Sequence, residues 1–165
     1  MKKKLRNLLL FTACIAFFWV ACDEDDETDN EDNKGPGAFS NDYETSSAYF
    51  TNMGGMVMGN SPHGEVQIWY TSNIKNLIET ENFTVPEGTV SVKKFDTTGD
   101  GTIDGLVVMI KKESGYDSEN NDWYYETRAA DGTLLNDPAP GKIEMCITCH
   151  QNWKSKDYLG GTEMK

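Results

Sequence analysis

Histidine and cysteine are scarce in this 165-residue chain, which has two of the first and four of the second. Cys14 and Cys22 fall in the N-terminal leader, so only Cys146 and Cys149 are left for ordinary chemistry in the folded part. Two thiols do not build a disulfide-stapled scaffold, and a four-ligand zinc site lacks partners, because His63 is the only histidine besides His150. Positive charge is also short: 15 Lys and Arg face 27 Asp and Glu, and the net charge of -12 argues against nucleic acid as a partner. Long apolar runs are missing as well. Residues 8–20 form the longest, and it falls short of the ~20 residues a membrane-spanning helix needs. No internal repeat is visible, and the length suits one domain of about 100–150 residues.

The leader has the parts of an export signal. Lys2, Lys3, Lys4 and Arg6 precede the apolar run, and Ala21 stands directly before Cys22. This arrangement resembles a bacterial lipoprotein cleavage site, with residues 1–21 removed and Cys22 becoming the lipidated first residue; Trp19 stands where leucine is usual. A plain secretory signal cleaved nearby is the alternative. Eight acids follow between Asp23 and Asp32, then Lys34, Gly35, Pro36 and Gly37, a composition without apolar area to bury. Residues 22–41 therefore read as a solvated tether. An acidic run behind a lipidated cysteine also resembles the signal that carries some Gram-negative lipoproteins to the cell surface. The expected location is a bacterial membrane, by lipid anchor, in the periplasm or on the surface.

From residue 42 to 165 the composition is that of a globular domain. Tyr49, Phe50, Met53 and Met56 have helix-compatible spacing, which predicts a helix in the first part of residues 43–58, before Gly54 and Gly55. Val66, Ile68 and Tyr70 alternate with Glu65, Gln67 and Trp69 as in a strand. Ser72 is placed to cap a short helix with Ile74, Leu77 and Ile78 on one face. Residues 89–95, 103–111 and 122–128 read as three further strands, Asp131-Gly132 as a turn, and the segment from Ile143 as a short helix. The short connections favour hairpins over parallel crossovers, so the expected class is α+β: a mainly antiparallel sheet with a few short helices.

Cys146-Ile147-Thr148-Cys149-His150 carries the chemistry. Two cysteines at this spacing reach both vinyl groups of a haem, and the histidine after them reaches the iron. A redox dithiol shares the Cys-x-x-Cys spacing, yet usually opens a helix in a βαβ unit rather than ending a mainly β chain. Export agrees with haem, since thioether attachment takes place outside the cytoplasmic membrane. The sixth iron position has three candidate occupants: His63, a methionine, or none. His63 lies in Ser61-Pro62-His63-Gly64, a setting that also suits a turn histidine, and Met53, Met56, Met58, Met109 and Met145 read as core filler. Residues 96–104 copy part of a calcium loop, with Asp96, Asp100 and Asp104 at its first, fifth and ninth positions and Gly101 at its sixth. Val107 stands at the twelfth, where a bidentate acid belongs, and a polar hairpin turn has the same composition.

The order of these pieces is similar to that of the cytochrome P-460 family. It runs from His63-Gly64 and the strand ending in Tyr70, through Pro86-Glu87-Gly88-Thr89-Val90 leading to Lys93, to Met109-Ile110-Lys111. Gly115-Tyr116-Asp117, Asp122-Trp123, the Cys-x-x-Cys-His motif and Asp157-Tyr158 complete it, over roughly residues 42–160. The resemblance implies a largely antiparallel β fold, usually homodimeric, with one covalent c-type haem that is five-coordinate through His150. Some members oxidise hydroxylamine and join a strand lysine, matched here by Lys93, to the macrocycle. Related cytochromes c′ of β type lack that bond and bind nitric oxide or similar gases. Lys94 departs from the family, where an acid often follows the lysine. Implied partners are a small nitrogen species or gas and a redox partner protein. An electron-transfer cytochrome, with His63 or a methionine as sixth ligand, is a third reading.

Overall fold

The computed structural model describes residues 37–59 and 62–163, which lie in one unit of the chain, Glu31–Lys165. The export signal, Cys22 and the tether up to residue 36 lie outside the described residues. The architecture is a mainly antiparallel sheet with one short α-helix. Its strands are β1 (Tyr49–Phe50), β2 (Val57–Met58), β3 (Glu65–Thr71), β4 (Val90–Asp96), β5 (Gly105–Lys111) and β6 (Trp123–Arg128), and the helix is α1 (Glu144–His150). The sheet order is β1-β3-β4-β5-β6, with β2 also pairing β3. Among the described residues no helix is long and apolar enough to cross a membrane.

Both faces of the sheet are covered, which decides where each alternating residue goes. On one face Trp69, Val90, Val92, Leu106, Val108 and Ile110 pack with Tyr43, Phe39 and Tyr49. The Arg128 guanidinium caps this layer, 4.0 Å from the centre of the Phe39 ring and 2.7 Å from the buried Glu126 carboxylate. Phe39 thus packs on the sheet upstream of residue 42, where the sequence suggested that the domain begins. On the other face Val66, Ile68, Tyr70, Met109, Trp123 and Tyr125 pack with Ile143 and Ile147 of the helical segment and with Tyr158 and Leu159 after it. This second layer carries the site.

The four main strands follow the alternation of the sequence within a residue or two. The early helix does not form. Residues 41–45 make turns, with Ser46 N–H donating to the Asp42 carbonyl at 2.8 Å and Ala48 N–H to the Ser46 hydroxyl at 3.2 Å. A serine side chain that bonds nearby backbone competes with helix, as the Ser46 hydroxyl does here, and Tyr49–Phe50 pair with β3 instead. Ser72 does not cap an α-helix either: only a 3-10 turn, Ser72–Ile74, follows β3, and the Ser72 hydroxyl donates instead to the Ser47 carbonyl at 3.1 Å. Ile74 and Ile78 are nonetheless buried, as the apolar spacing of that segment predicts. The methionines divide: Met53 and Met109 are core, whereas Met58 and Met145 are 72% and 70% exposed and are not filler.

Candidate functional site

Helix α1 presents Cys146 and Cys149 one turn apart, on one side of the helix. Ile147 and Ile143, both buried, fasten the helical segment to the sheet. Both cysteines are half-buried and unpaired. His150, at the end of the helix, is buried, and its Nδ1 lies 2.7 Å from the Tyr158 carbonyl. A carbonyl only accepts, so Nδ1 carries the proton and donates it, and Nε2 is left with its lone pair. Burial, reinforced by the Lys93 ammonium, lowers the His150 pKa to about 4, so the ring is neutral at physiological pH. The Tyr125 ring meets it edge-on at 5.7 Å and Trp153 lies at 5.6 Å, both between ring centres. Trp153 reaches that position because residue 160 is glycine, where a Cβ would press within about 3.0 Å of the indole.

Cys146, Cys149, His150 and Trp153 wall a cavity of about 340 Å³ together with His63, Lys93, Val66, Ile68 and Val107, with Glu163 also in the wall. Register explains the sheet's share of it. Ile68, Lys93 and Val107 are direct partners across β3, β4 and β5, so the three side chains form one row on the face beneath α1. Lys93 is the polar member of an otherwise apolar row. Burial lowers its pKa, opposed by the two cysteines, which line the same cavity. Lys94 points the other way, with its amine 2.9 Å from Glu44 and 4.9 Å from the centre of the Trp69 ring. The alternation that assigned Lys93 and Lys94 to opposite faces therefore holds.

His63 reaches the wall through the turn before β3. Gly64, at φ 66°, allows that turn to lie against the end of β4, since a Cβ there would strike the Asp96 carbonyl. The His63 ring stacks obliquely on Phe95, 5.6 Å between centres, and burial, aided by Lys93, lowers its pKa to about 4. Exposed Met58 and Met145 border the same cavity.

The donor set fits a covalently attached haem. Two thiols one helical turn apart and an imidazole with Nδ1 anchored and Nε2 free face a largely apolar cavity. Among those residues no three His, Cys, Asp or Glu are gathered as a multi-ligand metal site. In the 96–104 loop the carboxylates turn onto their own backbone. Asp96 accepts N–H bonds from Gly99 and Gly101, each at 2.7 Å, and Asp104 accepts one from Thr97 at 2.7 Å, as in a hairpin turn.

The sequence does not point to the Tyr158 carbonyl, Trp153, Val107 or Glu163 as site residues, and Met58 and Met145, expected as core filler, border the cavity instead. Only Val107 had a legible signal, because it stands opposite Lys93 once the β4–β5 register is known. Neither a family model nor a curated protein matches the chain.

Proposed function

We propose that this is an exported, lipid-anchored c-type haem protein of cytochrome P-460 character, with the haem held by Cys146 and Cys149 and its iron by His150. One observation carries the reading: both thiols, the anchored imidazole and the Lys93 amine border a single cavity. The haem would supply a redox-active iron able to take a small nitrogen species, hydroxylamine first among them. The chain's own contribution is to orient His150 through Tyr158, to keep water from the sheet side with Val66, Ile68 and Val107, and to hold Lys93 in the cavity that the cysteines line. An amine in that place supports the enzymatic reading over passive capture of nitric oxide, for which an apolar wall suffices. The chain is proposed to pass electrons to a redox partner and to work as a homodimer.

The test is chemical. Matured with a periplasmic haem-attachment system, the domain is expected to keep one haem through acid–acetone extraction. A folded but colourless product under those conditions would remove the proposal.

His63 in the cavity wall favours a second reading, an electron carrier with His63 as sixth ligand. The five-coordinate reading expects a high-spin ferrous spectrum that His63→Ala leaves nearly unchanged. A low-spin spectrum that turns high-spin in the variant selects the electron carrier instead.

The anchor has its own test. Cys22→Ser is expected to release the protein from the membrane fraction, because a lipidated Cys22 is the proposed attachment. Retention of the variant on membranes would assign the attachment to another part of the molecule.

A further inference from the structure

Asp157 and Tyr158 follow the last 3-10 turn, and both are in the left-handed region, at φ 52° and 65°. Two successive non-glycine residues in that region do not arise from local preference, so contacts elsewhere must impose the conformation. Asp157 supplies them. Its carboxylate, almost fully buried, accepts from Val85 N–H at 2.7 Å, from Lys111 Nζ at 2.8 Å and from Asn121 Nδ2 at 2.7 Å. Its carbonyl accepts from Trp123 Nε1 at 2.6 Å. The donors come from the segment before β4, the end of β5, the turn after it and the start of β6, so one residue is tied to four places in the rigid part of the fold. The next carbonyl along the chain, that of Tyr158, is the one that receives the proton of His150 Nδ1.

We infer that Asp157 is a positioning residue for the iron ligand: its buried bonds hold the Tyr158 carbonyl on His150, fixing the plane and the basicity of the imidazole. The inference rests on the haem reading above and deepens it. A donated Nδ1 proton makes the imidazole more electron-rich and favours ferric over ferrous iron, so loosening the anchor shifts the balance toward ferrous.

The experiment uses the full chain with haem attached and reads two quantities, the iron–histidine stretching band of the ferrous form and the midpoint potential. Asp157→Asn keeps the volume but loses the charge. It is expected to lower the band and to reduce the ferric-to-ferrous ratio at fixed potential about tenfold, a rise of about 59 mV for one electron. Asn121→Ala removes one donor while leaving the Lys111 pair intact, and it should move both quantities in the same direction by less. If Asp157→Asn does not fold, Asn121→Ala decides alone. Variants that bind haem and melt earlier, but keep the wild-type band and potential, would reduce Asp157 to a purely structural role and overturn the inference. Failure of the wild type to take up haem would instead overturn the haem reading, and this inference with it.

Discussion

Lys93→Ala is expected to abolish hydroxylamine turnover while leaving haem on Cys146 and Cys149. Lys93 sits between Ile68 and Val107 in the cross-strand row of the cavity wall, and the two cysteines line the same cavity. If it is joined to the macrocycle, a tryptic haem peptide containing residues 146–150 will also carry the peptide containing Lys93, and its mass will report both chains. Distortion of the macrocycle is a lever on the iron once the axial ligand is set, which is why loss of one amine is expected to remove activity rather than trim it. Lys94→Ala is the control. Lys94 lies on the opposite face with Glu44 and Trp69, so its loss should leave turnover intact and change stability only slightly. A mass that accounts only for the two thioethers would favour the gas-binding alternative. Loss of turnover in Lys94→Ala with retention in Lys93→Ala would contradict the placement of both residues.

The largest effect on stability is expected at Trp123. It is fully buried, it donates to the Asp157 carbonyl at 2.6 Å, and the Lys111 amine lies 5.2 Å from the centre of its ring. Trp123→Ala removes that packing, leaves a cavity and strips a bond from the segment that holds Tyr158. The cost is expected at about 3–5 kcal/mol, a large share of the ~5–15 kcal/mol that stabilises a typical domain. Urea unfolding followed by far-ultraviolet circular dichroism measures it. Met58→Ala, at the exposed rim, is the comparison and should stay within about 0.5 kcal/mol. Equal midpoints for the two variants would mean that Trp123 does not anchor the core.

Much of this layout follows from local rules. Strands β3 to β6 were legible because alternation has a period of two, and that same period separates Lys93 from Lys94. The Cys-x-x-Cys-His motif was legible because Cys146, Cys149 and His150 are neighbours in the chain, where spacing alone sets their geometry. Segments with weak periodicity were read less well. Residues 43–50 carry aromatic residues at helical spacing, yet the Ser46 hydroxyl bonds nearby backbone and the edge of β3 pairs with Tyr49–Phe50, so they form turns and β1. Met58 and Met145 looked like core because methionine is apolar, whereas exposure depends on what lies opposite them in space.

Taken alone, then, the sequence determined the strand pattern, the helix that carries Cys146 and Cys149, and the identity of the histidine beside them. It placed Lys93 and Lys94 on opposite faces without saying what either face meets. Only the tertiary structure decided that both faces are covered, that Lys93 shares a cavity with His63 and His150, and that a carbonyl eight residues beyond His150 anchors its Nδ1. The physical reason is range. Periodicity and motif spacing act over a few residues, whereas sheet register and a buried carboxylate such as that of Asp157 join segments far apart in the chain, and no local pattern records which ones will meet.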